Sequence, residues 1–410
     1  MLLKKSILKG NKTIQISGSK SISNRLLILQ KLFGNVEIIN LSDSQDSQMM
    51  QKALCSENEI IDIHHAGTAM RFLTSYFAIQ ENKTTILTGS ERMKNRPIQF
   101  LVDALRSLDA EIEYLEKEGF PPLKIVGKKL EKSSVKIPAN VSSQFISSLL
   151  MIAGKLKNGL EIELIGETTS RPYLEMTLQI LKDVGIESDF SGNVIKIKSF
   201  DITNCASPIT YEVESDWSSA SYFYSLAAIG RENIHLKSFK TSSLQGDSVL
   251  QKIYFDFFGI ETVFFENENT ISLISKENFQ FPKSINLNMN NCPDIAQTLC
   301  VTATAMKIPF EISGLATLKV KETDRLIALR NELQKIGCTA KISDDSIKSI
   351  SFSEPQENIS IKTYNDHRMA MSFAPFSLIK ELNIEDENVV EKSYIDFWKD
   401  FSEITNIESV

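Results

Sequence analysis

Nowhere does this 410-residue chain carry a GxxxxGK[ST] loop, a GxGxxG turn after a strand or a GxSxG elbow. Nucleotide hydrolysis, dinucleotide redox chemistry and serine-hydrolase chemistry therefore lose support. Cysteine is scarce and scattered: Cys55, Cys205, Cys292, Cys300 and Cys338 form no CxxC pair. An odd count without pairing suits reduced thiols, and each is expected as a small buried hydrophobe rather than a ligand or a disulfide partner. An excess of positive charge is missing too. The formal net charge is −7, which argues against a nucleic-acid coat and requires any bound anion to be gripped locally. No apolar run approaches the roughly 18 residues of a membrane span, and MLLKKSILKGNKTIQ lacks a signal-peptide core, so a cytoplasmic location is expected. Low-complexity segments and long Pro/Gly linkers are also lacking.

What is present is enough apolar residue, 42%, to bury more than one core, and two domains is the natural reading. Six polar clusters each open an apolar run: Ser19-Lys20-Ser21, Gly67-Thr68, Val141-Ser142-Ser143-Gln144, Ser215-Asp216-Trp217, Asn291-Cys292-Pro293-Asp294 and Asn365-Asp366-His367-Arg368. Runs such as TAMRFLTSYFAI and SSQFISSLLMIAG are too apolar for a one-faced surface helix and predict buried helices. Free N–H groups and the positive dipole end collect at a helix start, so several such starts facing one place would bind a multiply charged anion.

Helix starts at Ser21, Thr68, Ser142, Trp217, Pro293 and His367 are spaced by 47, 74, 75, 76 and 74 residues. Near-constancy of this kind marks a repeat. After each run comes a short alternating strand (VEIINLS, TTILTGS, LEIELIG, NIHLKSF, PFEISGL, LNIED) and then an amphipathic second helix. In the last of these, Tyr394, Phe397, Trp398, Phe401 and Ile404 form one apolar stripe. Several second helices are expected to stop at Gly185, Gly259 and Gly337, and KISDDSIKSISFS reads as a hairpin. The predicted unit is helix, strand, helix, strand, strand, repeated six times with a shortened first copy. Three units per domain places a boundary near Tyr211 to Glu214.

Basic residues recur beside these openings: Lys20, Arg25, Arg71, Arg92, Arg171, Lys321, Arg325, Arg368 and Lys392. Any one of them reads most simply as a solvated surface cation. Taken together in an acidic protein they point to a pocket for a ligand with several phosphate or carboxylate groups. Ser142-Ser143-Gln144 offers hydroxyl and amide donors for a phosphate, although one serine is accounted for as an N-cap. Asp294 and Glu322, carboxylates among cations, could divide two proton transfers, one at a hydroxyl and one at carbon. Asp366-His367-Arg368 sets an acid, a titratable ring and a rigid fork in a row. His64-His65, if in a strand, would point to opposite faces, and no Cys/His/carboxylate cluster accompanies them, so no metal site is expected. The residues alone indicate an enzyme acting on small anions by acid/base chemistry.

GSKSISNR at 18–25, AGTAMR at 66–71, TGSERMKNRPI at 88–98, VSSQF at 141–145, SRPY at 170–173, SDWSSASYF at 215–223, KVKETDRL at 319–326 and YNDHRMAM at 364–371 resemble the 5-enolpyruvylshikimate-3-phosphate synthase family, the 3-phosphoshikimate 1-carboxyvinyltransferases. The resemblance implies an α/β (α+β) enolpyruvyl transferase fold, an inside-out α/β barrel of two domains with three βαβαββ units each. It implies a discontinuous domain, 1–18 plus 214–410, and an inserted domain, 19–213, binding shikimate 3-phosphate. The implied reaction joins phosphoenolpyruvate to the 5-hydroxyl of shikimate 3-phosphate and releases phosphate, through a tetrahedral intermediate formed after protonation of the methylene carbon. No metal or organic cofactor is implied, and the protein is expected as a monomer without nucleic-acid or membrane partners.

By position in the matching motifs, Lys20, Gly67, Arg92, Arg325, Arg368 and Lys392 would hold phosphoenolpyruvate. Ser21, Arg25, Ser142, Ser143, Gln144, Ser170, Tyr173, Asp294 and Lys321 would hold shikimate 3-phosphate, with Arg25 near its carboxylate. Asp294 is the expected base for the 5-hydroxyl; Glu322, with Lys321 and Lys20, is expected to handle the carbon proton and the charge. Three positions depart from the pattern: His65 stands where many relatives have Asn, Phe72 where they have Pro, and Thr317 where some have Asn. Glyphosate competes with phosphoenolpyruvate in the family. Gly67 keeps the small residue tied to sensitivity, and Phe72 is expected to weaken it by tilting the helix. Two other readings remain: the sister UDP-N-acetylglucosamine carboxyvinyltransferase, which typically has a loop cysteine not matched here, and a non-catalytic repeat scaffold.

Overall fold

The computed structural model describes residues 1–34, 36–140, 142–166, 168–201 and 208–407. Val141 and Cys205, named above, lie outside the described residues. Two compact units emerge, Met1–Ser17 with Glu214–Val410, and Gly18–Val213, so Gly18 falls in the inserted unit.

The inserted unit contains α1 (Lys20–Phe33), α2 (Gln45–Cys55), α3 (Gly67–Ala78), α4 (Glu91–Lys94), α5 (Gln99–Ser107), α6 (Ser143–Ala153) and α7 (Arg171–Asp183). As the apolar density requires, every residue of α3 is buried, and most of α1 and α6. These three helices pack on one another. Two four-stranded sheets flank them. In one, Ile60–Asp62 runs parallel to Thr84–Thr88, which continues into an antiparallel hairpin of Glu111–Tyr114 and Leu123–Val126. In the other, Ser134–Pro138 is parallel to Leu160–Ile165, followed by the hairpin Ser188–Ser191 and Val194–Ile197. Each sheet thus realises strand–helix–strand–helix–strand–strand, a buried helix making the parallel crossover. The first copy is abbreviated to Val36–Ile39, α2 and a parallel partner, Ile209–Glu212.

The discontinuous unit repeats the plan with α8 (Trp217–Gly230), α9 (Leu250–Phe258), α10 (Ala296–Ala305), α11 (Arg325–Lys335), α12 (His367–Phe373) and α13 (Phe397–Ile404). Its sheets pair Lys12–Gln15 with Ile234–Lys237 and Ile285–Asn288 with Phe310–Ser313 in parallel, and each adds a hairpin. One hairpin joins Cys338–Ile342 to Ile347–Phe352, as the Asp-Asp-Ser tip predicts. The buried helices are stitched by hydroxyls. Thr298 on α10 bonds Ser221 on α8 at 3.1 Å and Ser372 on α12 at 3.0 Å, pairs separated by 77 and 74 residues. Ser148 on α6 bonds Ser75 on α3 at 2.6 Å across 73 residues. The repeat seen in the sequence is therefore the separation at which equivalent polar positions meet in space, and each bond satisfies a hydroxyl that burial would otherwise leave unpaired.

Gly259 caps α9 in the left-handed conformation, at φ +68°, and Gly185 and Gly337 also take positive φ after α7 and α11. Some expectations are corrected. Tyr394 precedes α13 rather than belonging to it, yet it is buried with Phe397 and Phe401 and donates to Asp400 at 2.6 Å. Cys55 is exposed at the end of α2, whereas Cys292, Cys300 and Cys338 are buried as expected. His64 and His65 lie in a turn before α3, His64 at φ +48°, and not in a strand, because the strand ends at Asp62.

Candidate active site

In the inserted unit the chemistry-bearing residues gather where buried helices begin. Lys20 is the first residue of α1, and its Nζ lies 3.4 Å from Asp46 Oδ2 on α2. Ser142 is the N-cap of α6 and accepts from the Gln144 N–H at 3.4 Å; Ser143 opens the helix, so its hydroxyl is not needed as the cap. Gln144 Nε2 donates to Thr68 Oγ1 at 3.2 Å and thereby joins the starts of α6 and α3. Ser170 sits in the left-handed region, φ +53°, before α7, which places Tyr173 in the first turn. Arg92 is exposed on α4, whose N-cap Ser90 also meets His65 Nδ1 at 2.8 Å. His65 thus ties the turn before α3 to the helix that carries Arg92.

Arg25, expected near the acceptor's carboxylate, makes four bonds within the protein. It is buried, donating from Nε to Thr177 Oγ1 (2.7 Å), from Nη1 to the Ser21 carbonyl (2.7 Å), and from Nη2 to Ser147 Oγ (3.1 Å) and the Tyr173 carbonyl (3.4 Å). Its guanidinium also lies 5.3 Å from the Phe72 ring centroid. Burial lowers its pKa to about 10, with Tyr173 pulling upward, so it stays charged at neutral pH. With four of five N–H groups engaged, Arg25 clamps α1, α6 and α7 together.

In the discontinuous unit the groups form a network of ion pairs. Asp294 lies in the turn Pro293–Ile295 that leads into α10. Its Oδ1 is 3.0 Å from Arg325 Nη1 and 3.4 Å from Lys321 Nζ, and its Oδ2 is 3.3 Å from Arg368 Nη2. Glu322 is held between Lys392 Nζ (2.5 Å) and Arg325 Nη2 (2.9 Å). Asp366, the N-cap of α12, accepts from the Arg368 N–H at 2.9 Å and from Arg325 Nε at 2.6 Å. Burial alone would raise the Asp294 carboxyl, but Arg368, Lys321 and Arg325 outweigh it and hold it well below the ordinary carboxylate range. Burial pulls Lys321 down against the attraction of Asp294, although 27% of its side chain still reaches solvent, which limits that pull.

Sequence reasoning missed the acids that hold these cations. Asp247 is buried; its Oδ2 accepts from Ser218 Oγ, which in turn accepts from Arg368 Nη2 at 3.3 Å. Burial, then the neighbouring Asp294, raise Asp247 to about 6. Asp46 beside Lys20 was missed in the same way. The available signals were an isolated acid in LQGDSV and the Asp of DSQDSQ, neither distinctive without its partner. Burial, with Asp247 and Asp294 nearby, pushes the Cys292 thiol up to about 12, which removes it as a nucleophile. Thr317 Oγ1 is buried without a hydrogen-bond partner among the described residues, at the position where some relatives have Asn.

Such a set can bind multiply charged anions, keep one carboxylate ionised and hold a second between two cations. A family model described as EPSP synthase (3-phosphoshikimate 1-carboxyvinyltransferase) matches residues 51–401. A 3-phosphoshikimate 1-carboxyvinyltransferase of Bacteroides fragilis (strain YCH46) is 44% identical over 393 residues, covering 95% of this chain and 94% of its own. Its counterpart in Haemophilus influenzae (strain ATCC 51907 / DSM 11121 / KW20 / Rd) is 36% identical over 427 residues, 96% of each chain. Among solved structures, an EPSP synthase from Acinetobacter baumannii superposes with a TM-score of 0.71 at 21% identity, covering 97% of both chains. The enolpyruvyl transferase NikO from Streptomyces tendae gives 0.72 at 11% identity, with 97% of both chains covered. Those two likenesses speak to the fold.

Proposed function

The chain belongs to the EPSP synthase family, and from that premise we propose how its residues divide the work. The enzyme transfers the enolpyruvyl group of phosphoenolpyruvate to the 5-hydroxyl of shikimate 3-phosphate and releases phosphate, a step of aromatic amino-acid biosynthesis. Ser21, Ser142, Ser143, Gln144, Ser170 and Tyr173 take shikimate 3-phosphate, its phosphate against the serines. Arg25 serves this set by holding Ser21 and Tyr173 in place. Lys20, Gly67, Arg92, Arg325, Arg368 and Lys392 take phosphoenolpyruvate and neutralise its phosphate as it leaves.

The observation that carries this reading is the position of Asp294 among three cations. Alone it is a poor base, because those cations stabilise its charge. An arriving anion shares them, weakens their hold on Asp294 and raises its basicity, so the base is activated when substrate is present. Asp294 then accepts the 5-hydroxyl proton. Glu322, set between Lys392 and Arg325, is placed to exchange the proton of the methylene carbon, with Lys321 steadying the acceptor phosphate. We place it in the cytoplasm and take it to act on small molecules as a monomer; among the described residues no helix is long and apolar enough to cross a membrane.

Phosphate release from phosphoenolpyruvate, run separately with shikimate 3-phosphate and with UDP-N-acetylglucosamine, tests the reading. Release is expected only with shikimate 3-phosphate and is lost in Asp294→Ala; release with the nucleotide sugar instead would overturn it.

A further inference from the structure

Glu332 lies outside the ion-pair network around Asp294, yet it too is a buried acid, 1% exposed. It sits on α11 seven residues after Arg325, two turns along the same face of the helix. Arg325 meets Asp366, and Glu332 meets the residues just before it. Its Oε2 accepts from the Lys362 N–H at 3.0 Å, and its Oε1 accepts from the Tyr364 hydroxyl at 2.7 Å. Lys335 Nζ, 2.6 Å from Glu332 Oε2, balances the charge and donates to the Ser360 carbonyl at 2.7 Å. All these partners belong to the discontinuous unit.

The segment held in this way is strained. Tyr364 and Asn365 both take φ +55°, two successive side-chain-bearing residues in the region that favours glycine. Asn visits that region readily, but a bulky Tyr does so only where its surroundings fix it. The turn leads from the strand Ile359–Ile361 into α12, and the Asp366 N–H closes it on the Thr363 carbonyl at 2.9 Å. Asp366 then caps α12 through the Arg368 N–H and grips Arg325. A turn that relaxed to ordinary backbone would therefore move Asp366 and Arg368 together. Burying a carboxylate to hold one hydroxyl and one backbone N–H costs desolvation that an apolar helix face would avoid, so the contact answers a need for precision rather than for stability.

We propose that Glu332 is a positioning residue for the reaction: with the Tyr364 hydroxyl it locks the left-handed turn that aims Asp366 at Arg325 and Arg368 at Asp294. It acts through those side chains. This rests on the reading that Arg325 and Arg368 take phosphoenolpyruvate.

The test compares Tyr364→Phe, which removes one hydroxyl and keeps the ring, and Glu332→Ala, which removes the whole lock, with the native enzyme. Tyr364→Phe is expected to raise the KM for phosphoenolpyruvate about fivefold or more, as loss of a hydrogen bond to a charged group does, and Glu332→Ala to raise it further. The KM for shikimate 3-phosphate stays within about twofold, because the serine set lies in the other unit. Hydrogen exchange followed by peptide mass spectrometry needs no substrate: in Tyr364→Phe, α12 is expected to exchange about tenfold faster, with α8 and α10 unchanged. An unchanged KM for phosphoenolpyruvate in Tyr364→Phe overturns the proposal even if the melting temperature falls, and so does faster exchange spread evenly over α8, α10 and α12. If the native enzyme releases no phosphate with either acceptor, the parent reading fails, and exchange alone decides this one: acceleration confined to α12 sustains the lock, and none removes it.

Discussion

Arg325 grips Asp366 in a two-point bond, Nε 2.6 Å from Oδ2 and Nη2 3.2 Å from Oδ1. The same side chain, 2% exposed, also reaches Asp294 and Glu322. One rigid fork therefore sets the spacing of three carboxylates, including both assigned to proton transfer. Lysine carries the charge but not the fork. Arg325→Lys is expected to lower kcat/KM by about 100-fold or more through misplacement alone. Asp366→Asn leaves Arg325 short of its buried partner and is expected to cost about 3–5 kcal/mol of stability. Urea titration of the two variants checks this; a loss under about 1 kcal/mol for Asp366→Asn would show that the pair does not hold the cluster.

Asp247 gives a pH-dependent stability of known sign. Its folded pKa, about 6, lies above its ordinary value of 3.8 because burial disfavours the carboxylate. An acid raised on folding supports the fold fully below the unfolded pKa, and that support is lost as pH rises through the folded one. Above about pH 6 the charged side chain remains as a fixed cost. Asp247→Asn removes it, so the variant is expected to be more stable at pH 8 by roughly 2–3 kcal/mol, with the gain vanishing near pH 4. Activity should fall nonetheless, since the charged acceptor that orients Ser218 toward Arg368 is replaced by a neutral amide. Melting curves at pH 4.5 and 8 decide the matter: equal differences at both would mean that the carboxyl does not titrate between them.

Much of this was legible before any coordinates. Density of apolar residues after Gly67 and Ser143 marked helices buried on all sides, and helix starts are local chemistry that a sequence displays. The period near 75 was visible because each copy needs the same polar position at the same depth, as Ser221, Thr298 and Ser372 show. Asp247 and Asp46 were not legible for the opposite reason. Each matters through a partner far along the chain or on another element, and an isolated acid in a polar segment looks like ordinary surface. The motif puts Arg25 beside a ligand, and only three-dimensional proximity adds that it also bonds Thr177, Ser147 and Tyr173 from other elements.

Phe72 illustrates how such a clamp bears on inhibition. It is buried within the continuous helix α3, under the Arg25 guanidinium. Proline at this sixth helical position would remove one intrahelical hydrogen bond and the ring beneath Arg25, at about 3 kcal/mol. Phe72→Pro is therefore expected to lower the melting temperature and to shift the start of α3, which carries Gly67. Glyphosate inhibition against phosphoenolpyruvate should change with it. Unaltered inhibition in a properly folded variant would detach position 72 from the pocket.

Asp294 supplies the most direct test of the proposed chemistry. Arg368, Lys321 and Arg325 keep its folded pKa below the ordinary 3.8, so it stabilises the fold above that value and the contribution is lost only as pH falls through the depressed pKa. At neutral pH the full contribution is present. Asp294→Asn preserves shape, leaves those cations with one anion fewer and removes the base. It is expected to destabilise the protein at pH 7 while lowering kcat by about 10²–10⁴, the range of a lost general base. The released cations should also bind the substrate phosphates at least as tightly as before, because they no longer share their charge with a carboxylate. Rate loss with substrate affinity kept or improved is the signature of a base; equal loss of rate and affinity would make Asp294 a binding residue and move the proton transfer to Glu322.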